Sequence, residues 1–264
     1  MKVVGHLVFT MVMVCGTTSL HAGPLLNQGT WETTLKARDL SGNAVALNDA
    51  SAAFFYDTTL NVTWLANMNL NGGPMNWGSA VAWADTLTTG GFTDWRLPTI
   101  IDSGPAGCDW SYDGGTDCGY TVQTQVGGAY SEWAHLFYVT LGNVGVCLPG
   151  GGTPNLCEGP PPSNYGLSNT AYFQDMQTYI YWSGTEYVSQ GSGDAWGFYT
   201  GLGAQREYEV SRNTVFAVAV RSGDVLRVDG TVPEPGSLAL LIAAGGALAW
   251  SQRCRRCDSA RRAH

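Results

Sequence analysis

The sequence predicts an α+β fold built from two helices, a set of antiparallel strands and long loops. Apolar residues recur at helical spacing in two places, 76–87 and 131–141. Segments rich in β-branched and aromatic residues, bounded by turn formers, fall at 30–39, 53–65, 179–182, 195–200, 205–210 and 215–221. The two kinds of signal do not alternate, which argues against a doubly wound parallel sheet.

In the first helix Asn76 is the cap, and Trp77, Ala80, Val81, Ala84 and Leu87 share one face. In the second, Ser131 is the cap, Trp133, Leu136, Phe137 and Thr140 lie on one side, and Gly142 ends it. Asp57-Thr58-Thr59 is a turn signal inside 53–65, so that stretch reads as a hairpin of Phe54-Phe55-Tyr56 with residues 61–65. Residues 142–170, which include Pro160-Pro161-Pro162, read as irregular, and no internal repeat is visible. Trp95 and Trp182 are large enough to anchor a core short of Leu and Ile. Arg96 beside Trp95 calls for a carboxylate, with Glu186 or Asp94 the expected partner and a structural role the expected one.

Both ends of the chain carry export signals. Lys2 precedes an apolar run over 3–14 broken only by Gly5, His6 and Thr10, and Ser19-Leu20-His21-Ala22 supplies small residues three apart. This pattern predicts a signal peptide over 1–22, removed by signal peptidase after Ala22. At the other end Val232-Pro233-Glu234-Pro235-Gly236 leads into an uncharged Leu/Ala/Gly-rich stretch, 237–250. Arg253, Arg255, Arg256, Arg261 and Arg262 follow. Arginines directly after an apolar stretch read as a membrane edge with the basic end in the cytoplasm and the preceding domain outside. Cys254 and Cys257 sit on that reduced side, in a tail to be discarded, and carry no expected chemistry.

This three-part order resembles the PEP-CTERM sorting signal of Gram-negative bacteria. The resemblance implies that an exosortase, a membrane-embedded cysteine transpeptidase, recognises Pro233, Glu234 and Pro235 and cleaves near them. The protein would then be anchored in the inner membrane only transiently before reaching the cell surface or the extracellular matrix. The expected organisation is a signal peptide at 1–22, a globular domain at 23–231 and a sorting tail with a short transmembrane helix at 232–264.

Residues 23–231 hold 19 acidic and 7 basic residues, a net charge of −12 against −8 for the whole chain. That surface repels phosphate backbones, so nucleic acid is not an expected partner. Cys108, Cys118, Cys147 and Cys157 fall in this exported part, where disulfides form. Four cysteines allow three connectivities. The equal spacings favour the local pairs Cys108–Cys118 and Cys147–Cys157.

Gly91-Phe92-Thr93-Asp94-Trp95-Arg96-Leu97-Pro98-Thr99 resembles the Lcl C-terminal-like domain. So do Tyr181-Trp182-Ser183-Gly184-Thr185-Glu186-Tyr187, Ala195-Trp196-Gly197-Phe198 and Ala219-Val220-Arg221-Ser222-Gly223, as well as Phe55-Tyr56-Asp57 and Thr63-Trp64-Leu65. The resemblance spans roughly 30–223 and implies a fold similar to C-type lectins and to the formylglycine-generating enzyme scaffold. That enzyme activity needs reactive cysteines, which bridges would consume here.

The sequence does not predict an enzyme. Its exported part has one histidine, His135, placed among core-type residues, and no nucleophile elbow, paired histidines or phosphate loop. Glu207 and Glu209 share a strand face, and Asp109 and Asp113 share a loop, but such pairs are usually solvated. A binding module is the expected function, with glycan or another surface polymer as ligand. The candidate ligand loop is Asp109, Trp110, Tyr112, Asp113 and Asp117, which gathers oxygens and aromatic faces. No cofactor is expected. Calcium is the one cation those aspartates would begin to coordinate, although no Glu-Pro-Asn or Trp-Asn-Asp triplet accompanies them. A passive structural matrix protein is the alternative.

Overall fold

Aromatic and β-branched segments pair here into two four-stranded antiparallel sheets and a small hairpin. The computed structural model describes residues 23–103, 117–147, 160–187, 193–212 and 214–227. The first sheet has the order β1-β2-β3-β10, from Leu35–Asp39, Ala52–Asp57, Val62–Leu65 and Val220–Ser222. The second has the order β4-β9-β8-β7, from Gly119–Tyr120, Ala204–Glu209, Asp194–Tyr199 and Ile180–Tyr187. Strands β5 (Gln125–Val126) and β6 (Ala129–Tyr130) form the hairpin.

The β2–β3 turn follows its sequence signal. Asp57 accepts hydrogen bonds from the Thr59 and Leu60 N–H groups at 2.9 and 3.1 Å, and Asn61 takes a positive φ of 54°. Aspartate and asparagine are the residues that support such a turn, by side-chain bonding and by tolerance of the left-handed region.

The α+β, C-type-lectin-like expectation with two full helices is overturned, because the described chain is mostly sheet and its helices are few and short. Helix α2, Trp77–Asp85, is nine residues long and capped as expected, with Asn76 Oδ1 accepting from Ser79 N at 2.8 Å. The second helix is α-helical only over Glu132–Ala134 (α3) and then widens into a π-helical segment over His135–Thr140. Two diversions explain this. Ser131, expected as the cap, spends its hydroxyl accepting from Ile101 N at 2.9 Å, and Thr140 donates its hydroxyl to the buried Asp57 at 2.9 Å. Tertiary partners thus outcompete the helix for its own terminal groups.

Residues 30–39 are likewise not one strand. Trp31–Thr34 forms a single helical turn, α1, because Thr30 N donates to Thr140 O at 2.9 Å while Thr33 and Thr34 bond back to Thr30 O. The chain crosses the end of the π segment at Gly29 and Gly142, where a Cβ on Gly142 would lie 2.4 Å from Gly29 N. Only glycine allows that approach.

Both sheets contribute to one aromatic core. Trp133 is fully buried and contacts Trp64 of β3 at 5.5 Å, Tyr181 of β7 at 4.7 Å and Phe198 of β8 at 6.1 Å between ring centroids. Trp95 and Trp182 are buried as the sequence predicts. A satellite cluster of Ile100, Cys118 and Trp196 packs against Tyr187. Among the described residues no helix is long and apolar enough to cross a membrane. The signal segment 1–22 and the apolar stretch 237–250 lie outside the described residues.

His135 sits in this core as the sequence expects. It is 5% exposed, neither ring nitrogen has a hydrogen-bond partner, and Tyr130 meets it edge-on at 5.2 Å. Burial pushes its pKa below the ordinary 6.5, and the opposing pull of Asp57 does not offset this. The unfolded chain therefore binds a proton that the folded one resists. Its contribution is complete above the unfolded pKa and is lost as pH falls below it. Denaturant titrations between pH 7.5 and 5.5 should show stability falling on acidification more steeply in the wild type than in His135→Phe. One proton sets the limit of that difference, about 1.4 kcal/mol per pH unit. Parallel acid limbs in the two proteins would contradict this.

Candidate functional site

Helix α2 and the segment Trp95-Arg96-Leu97 form the two walls of an apolar groove of about 410 Å³. The helix supplies Trp77, Val81, Ala82 and Asp85, and the floor is completed by Thr99 and Gly184. Each wall is fixed from behind. Trp77 donates its indole N–H to Ser183 O at 2.8 Å, and Trp182 donates its own to Met75 O at 2.9 Å, so the start of α2 is fastened to β7 from both sides. On the opposite wall Trp95 stacks on Phe54 at 5.6 Å and donates to Phe92 O at 2.9 Å. Arg96 exchanges backbone hydrogen bonds of 2.8 Å in both directions with Val220 of β10. Gly184 N donates to Pro98 O at 2.9 Å, where β7 breaks register with β8. A side chain at 184 would press on Leu97 at 3.3 Å, so this glycine lets the wall close.

The electrostatics of the groove centre on Arg96. Its two terminal nitrogens donate to Glu132 Oε1 and Oε2, each at 2.8 Å, and one of them also reaches Leu97 O at 3.1 Å. The partner expected from sequence, Glu186 or Asp94, is therefore corrected to Glu132. That residue stands in the first turn of α3, and its carboxylate also accepts from Thr99 N at 2.7 Å. The charge-assisted bonds to Glu132 hold the guanidinium in its charged form, raising its pKa against the cost of burial. Its side chain is still 36% exposed, while that of Glu132 is 8% exposed. The groove thus offers aromatic and aliphatic surface, one immobilised cation facing solvent, and Asp85 on the far wall.

A second, polar cleft of about 430 Å³ lies over β8 and β9, lined by Asp194, Arg206, Glu207, Tyr208, Glu209 and Arg212. It contains the Glu207 and Glu209 pair, as their shared strand face predicts. Asp194 stands opposite Glu209 in the β8–β9 register, Glu209 accepts from the Ser211 hydroxyl, and Arg206 and Arg212 flank the Tyr208 ring at 5.5 and 5.6 Å. Arg206, Glu209 and Arg212 face solvent here, whereas Glu207 is half-buried with its Oε2 enclosed and without a hydrogen-bond partner.

The candidate ligand loop is only partly visible. Asp109, Trp110, Tyr112 and Asp113 lie outside the described residues, as do Cys108, Cys157 and the sorting residues Pro233, Glu234 and Pro235. Asp117 is fully buried and turned inward, its carboxylate accepting from both the N–H and the hydroxyl of Ser103, so it is not an open ligand for calcium. Among the described residues no group of three His, Cys, Asp or Glu side chains is placed to hold a metal ion. Cys118 and Cys147 are buried half-cystines; the favoured pairings with Cys108 and Cys157 fall partly outside the described residues.

Sequence reasoning missed the groove itself. Trp77 and Val81 read as core residues on a helix face, yet Trp77 is half-buried and Val81 is 37% exposed. The signal that was available is Gly78 beside Trp77 and the run of small residues along α2, which leave the ring uncovered. Glu132→Gln should lower stability by about 1–3 kcal/mol in denaturant titration, because it leaves Arg96 half-buried without a counter-charge. Glu186→Gln and Asp94→Asn should stay within about 0.5 kcal/mol of wild type. Equal effects at all three positions would contradict the pairing.

The family model for the PEP-CTERM protein-sorting motif matches residues 231–256. No curated protein and no solved structure matches the chain. The motif marks an exported protein of Gram-negative bacteria that is anchored transiently in the membrane and processed by an exosortase.

Proposed function

We propose that the domain ahead of the sorting motif is a non-catalytic binding module, displayed on the cell surface or in the extracellular matrix, that takes a glycan or similar surface polymer in the α2 groove. The observation that carries this reading is the groove itself, about 410 Å³ with a half-buried tryptophan on one wall and a fixed guanidinium on the other. Sugar rings present C–H faces to aromatic side chains and hydroxyls to a charged, planar donor, and this combination meets both. A domain of net charge −12 repels anionic polymers, which favours a neutral polysaccharide. The segments that resemble the Lcl C-terminal-like domain, Gly91 to Thr99 and Tyr181 to Tyr187, are the ones that build the Arg96 wall and its support.

Non-catalysis is part of the proposal. Asp85, on the opposite wall from Arg96, is the acid among the described residues that line the groove; Glu132 lies behind Arg96 and is occupied by Arg96 and Thr99, and His135 is enclosed in the core. Among the described residues none there is poised as a nucleophile with a base beside it. A passive matrix protein without a ligand is the alternative, and a binding screen separates the two.

Protein recovered from culture should give saturable binding to at least one neutral glycan on an array, with the bound glycan unchanged on elution. Calcium should not be required, given the inward-facing Asp117. Val81→Asp, an exposed change on the groove wall, and Trp77→Ala should each weaken binding by about tenfold or more. Absence of saturable binding with and without calcium would favour the passive matrix role, and equal binding by both variants would move the site elsewhere.

A further inference from the structure

The chain leaves the described domain through a patch that is both basic and apolar. Val225 is buried, and Arg227 donates its backbone N–H to Gly42 O at 3.0 Å, so the chain is held to its last described residue. Around this exit Arg227 lies 4.8 Å and Arg221 lies 5.7 Å from the centroid of the Phe92 ring. Arg221 Nε donates to Thr93 O at 3.1 Å, and Arg227 Nη2 donates to Gly90 O at 3.3 Å. These contacts orient the two guanidinium groups without neutralising them. Among the described residues, neither is in an ion pair with a carboxylate. Leu40 and Leu226 are exposed beside them at 55% and 41%, with the Leu40 carbonyl against Gly90.

The acids on these same segments do little to cancel the charge. Asp224 is taken by Arg38 at 2.7 Å, and Asp39 accepts from Ser41 N, Asn43 N and Asn43 Nδ2 within its own turn. Of the acids described on these segments, Asp94 alone is exposed, and it has no ion pair. Two of the seven basic residues of a domain with net charge −12 are thus gathered with Phe92 and two exposed leucines at one point.

We propose that this patch rests on anionic phospholipid headgroups while the tail still holds the chain in the membrane. The inference rests on the reading of the sorting tail as a membrane anchor, and it is independent of the groove and its ligand. Nine residues, and so ten Cα steps, separate Arg227 from Ser237, where the apolar stretch begins. Fully extended they reach about 35 Å, less than the roughly 40 Å diameter expected of a domain this size. The exit face is therefore the one the tether keeps turned toward the bilayer. Guanidinium groups pair with phosphate, and Phe and Leu side chains suit the boundary between headgroups and acyl chains. The acidic remainder of the domain is repelled by the same headgroups, so a single orientation is favoured. Two arginines without an anchor hold a membrane weakly, so cleavage in the tail also dissolves this contact.

The chain with its sorting tail intact is reconstituted in vesicles of phosphatidylethanolamine and phosphatidylglycerol and, separately, of phosphatidylcholine. Flotation reports the anchor, and hydrogen exchange read by mass spectrometry reports the patch. Peptides covering 38–43, 88–94 and 221–227 should exchange about threefold or more slowly in the anionic vesicles than in the neutral ones. That difference should vanish in roughly 0.5 M salt and in the double variant Arg221→Glu/Arg227→Glu, with the groove peptides unchanged throughout. Equal exchange in the two lipids overturns the proposal, whether both protect or neither does, and the second case leaves the patch to a protein such as the processing exosortase. A chain that floats with neither lipid overturns the anchor reading and this proposal with it, while leaving the groove proposal standing.

Discussion

The contacts of Trp133 are the constraint on which the rest of the described structure depends. The indole is fully buried, touches β3 through Trp64 and β7 and β8 through Tyr181 and Phe198, and donates its N–H to Trp182 O at 3.3 Å. The two sheets share no strand; backbone bonds of Phe216 and Pro98 to β7 link them at one edge, and side-chain packing joins their faces. Aromatic side chains suit that task in a domain poor in aliphatic bulk, because each buries a large area, and the buried indoles of Trp133 and Trp182 still find carbonyls for their N–H groups. Trp182 adds a second tie through Met75 O, and with it the start of α2.

From that core the groove follows by short steps. Glu132 precedes Trp133 in α3, so the residue that locks the sheets also sets the carboxylate that holds Arg96. Arg96 is simultaneously paired by its backbone to β10, and Trp77 is hung from β7. One wall is helix α2 and the other an irregular segment pinned to β10 by the Arg96 bridge, so both are fixed to the sheets. The sorting motif marks the domain as exported, and its acidic balance repels anionic polymers.

Much of this was legible in the chain. The hairpin around Asp57, the capped start of α2, the buried Trp95 and Trp182 and the enclosed His135 all follow from local residue chemistry, which acts over a few positions. The sorting tail was legible for the same reason, as its three parts are contiguous. The α+β class was not, because helical periodicity at 131–141 says nothing about what competes for the ends of the helix. Ser131 and Thr140 are drawn to Ile101 and Asp57, distant in sequence, and the helix shortens accordingly. The Arg96 partner was missed on the same grounds. Glu132 lies 36 positions away, and only the fold brings it to the guanidinium. The groove is a void between two elements, and no pattern within either one records its existence.

Native-state hydrogen exchange on Trp133→Ala tests most directly whether one aromatic core holds both sheets and the groove. A shared core predicts that amides of β2–β3, of β7–β8 and of α2 lose protection together, by a common free energy of about 3–5 kcal/mol. Wild-type protection retained in either sheet would show that the two fold independently, and the account would fail.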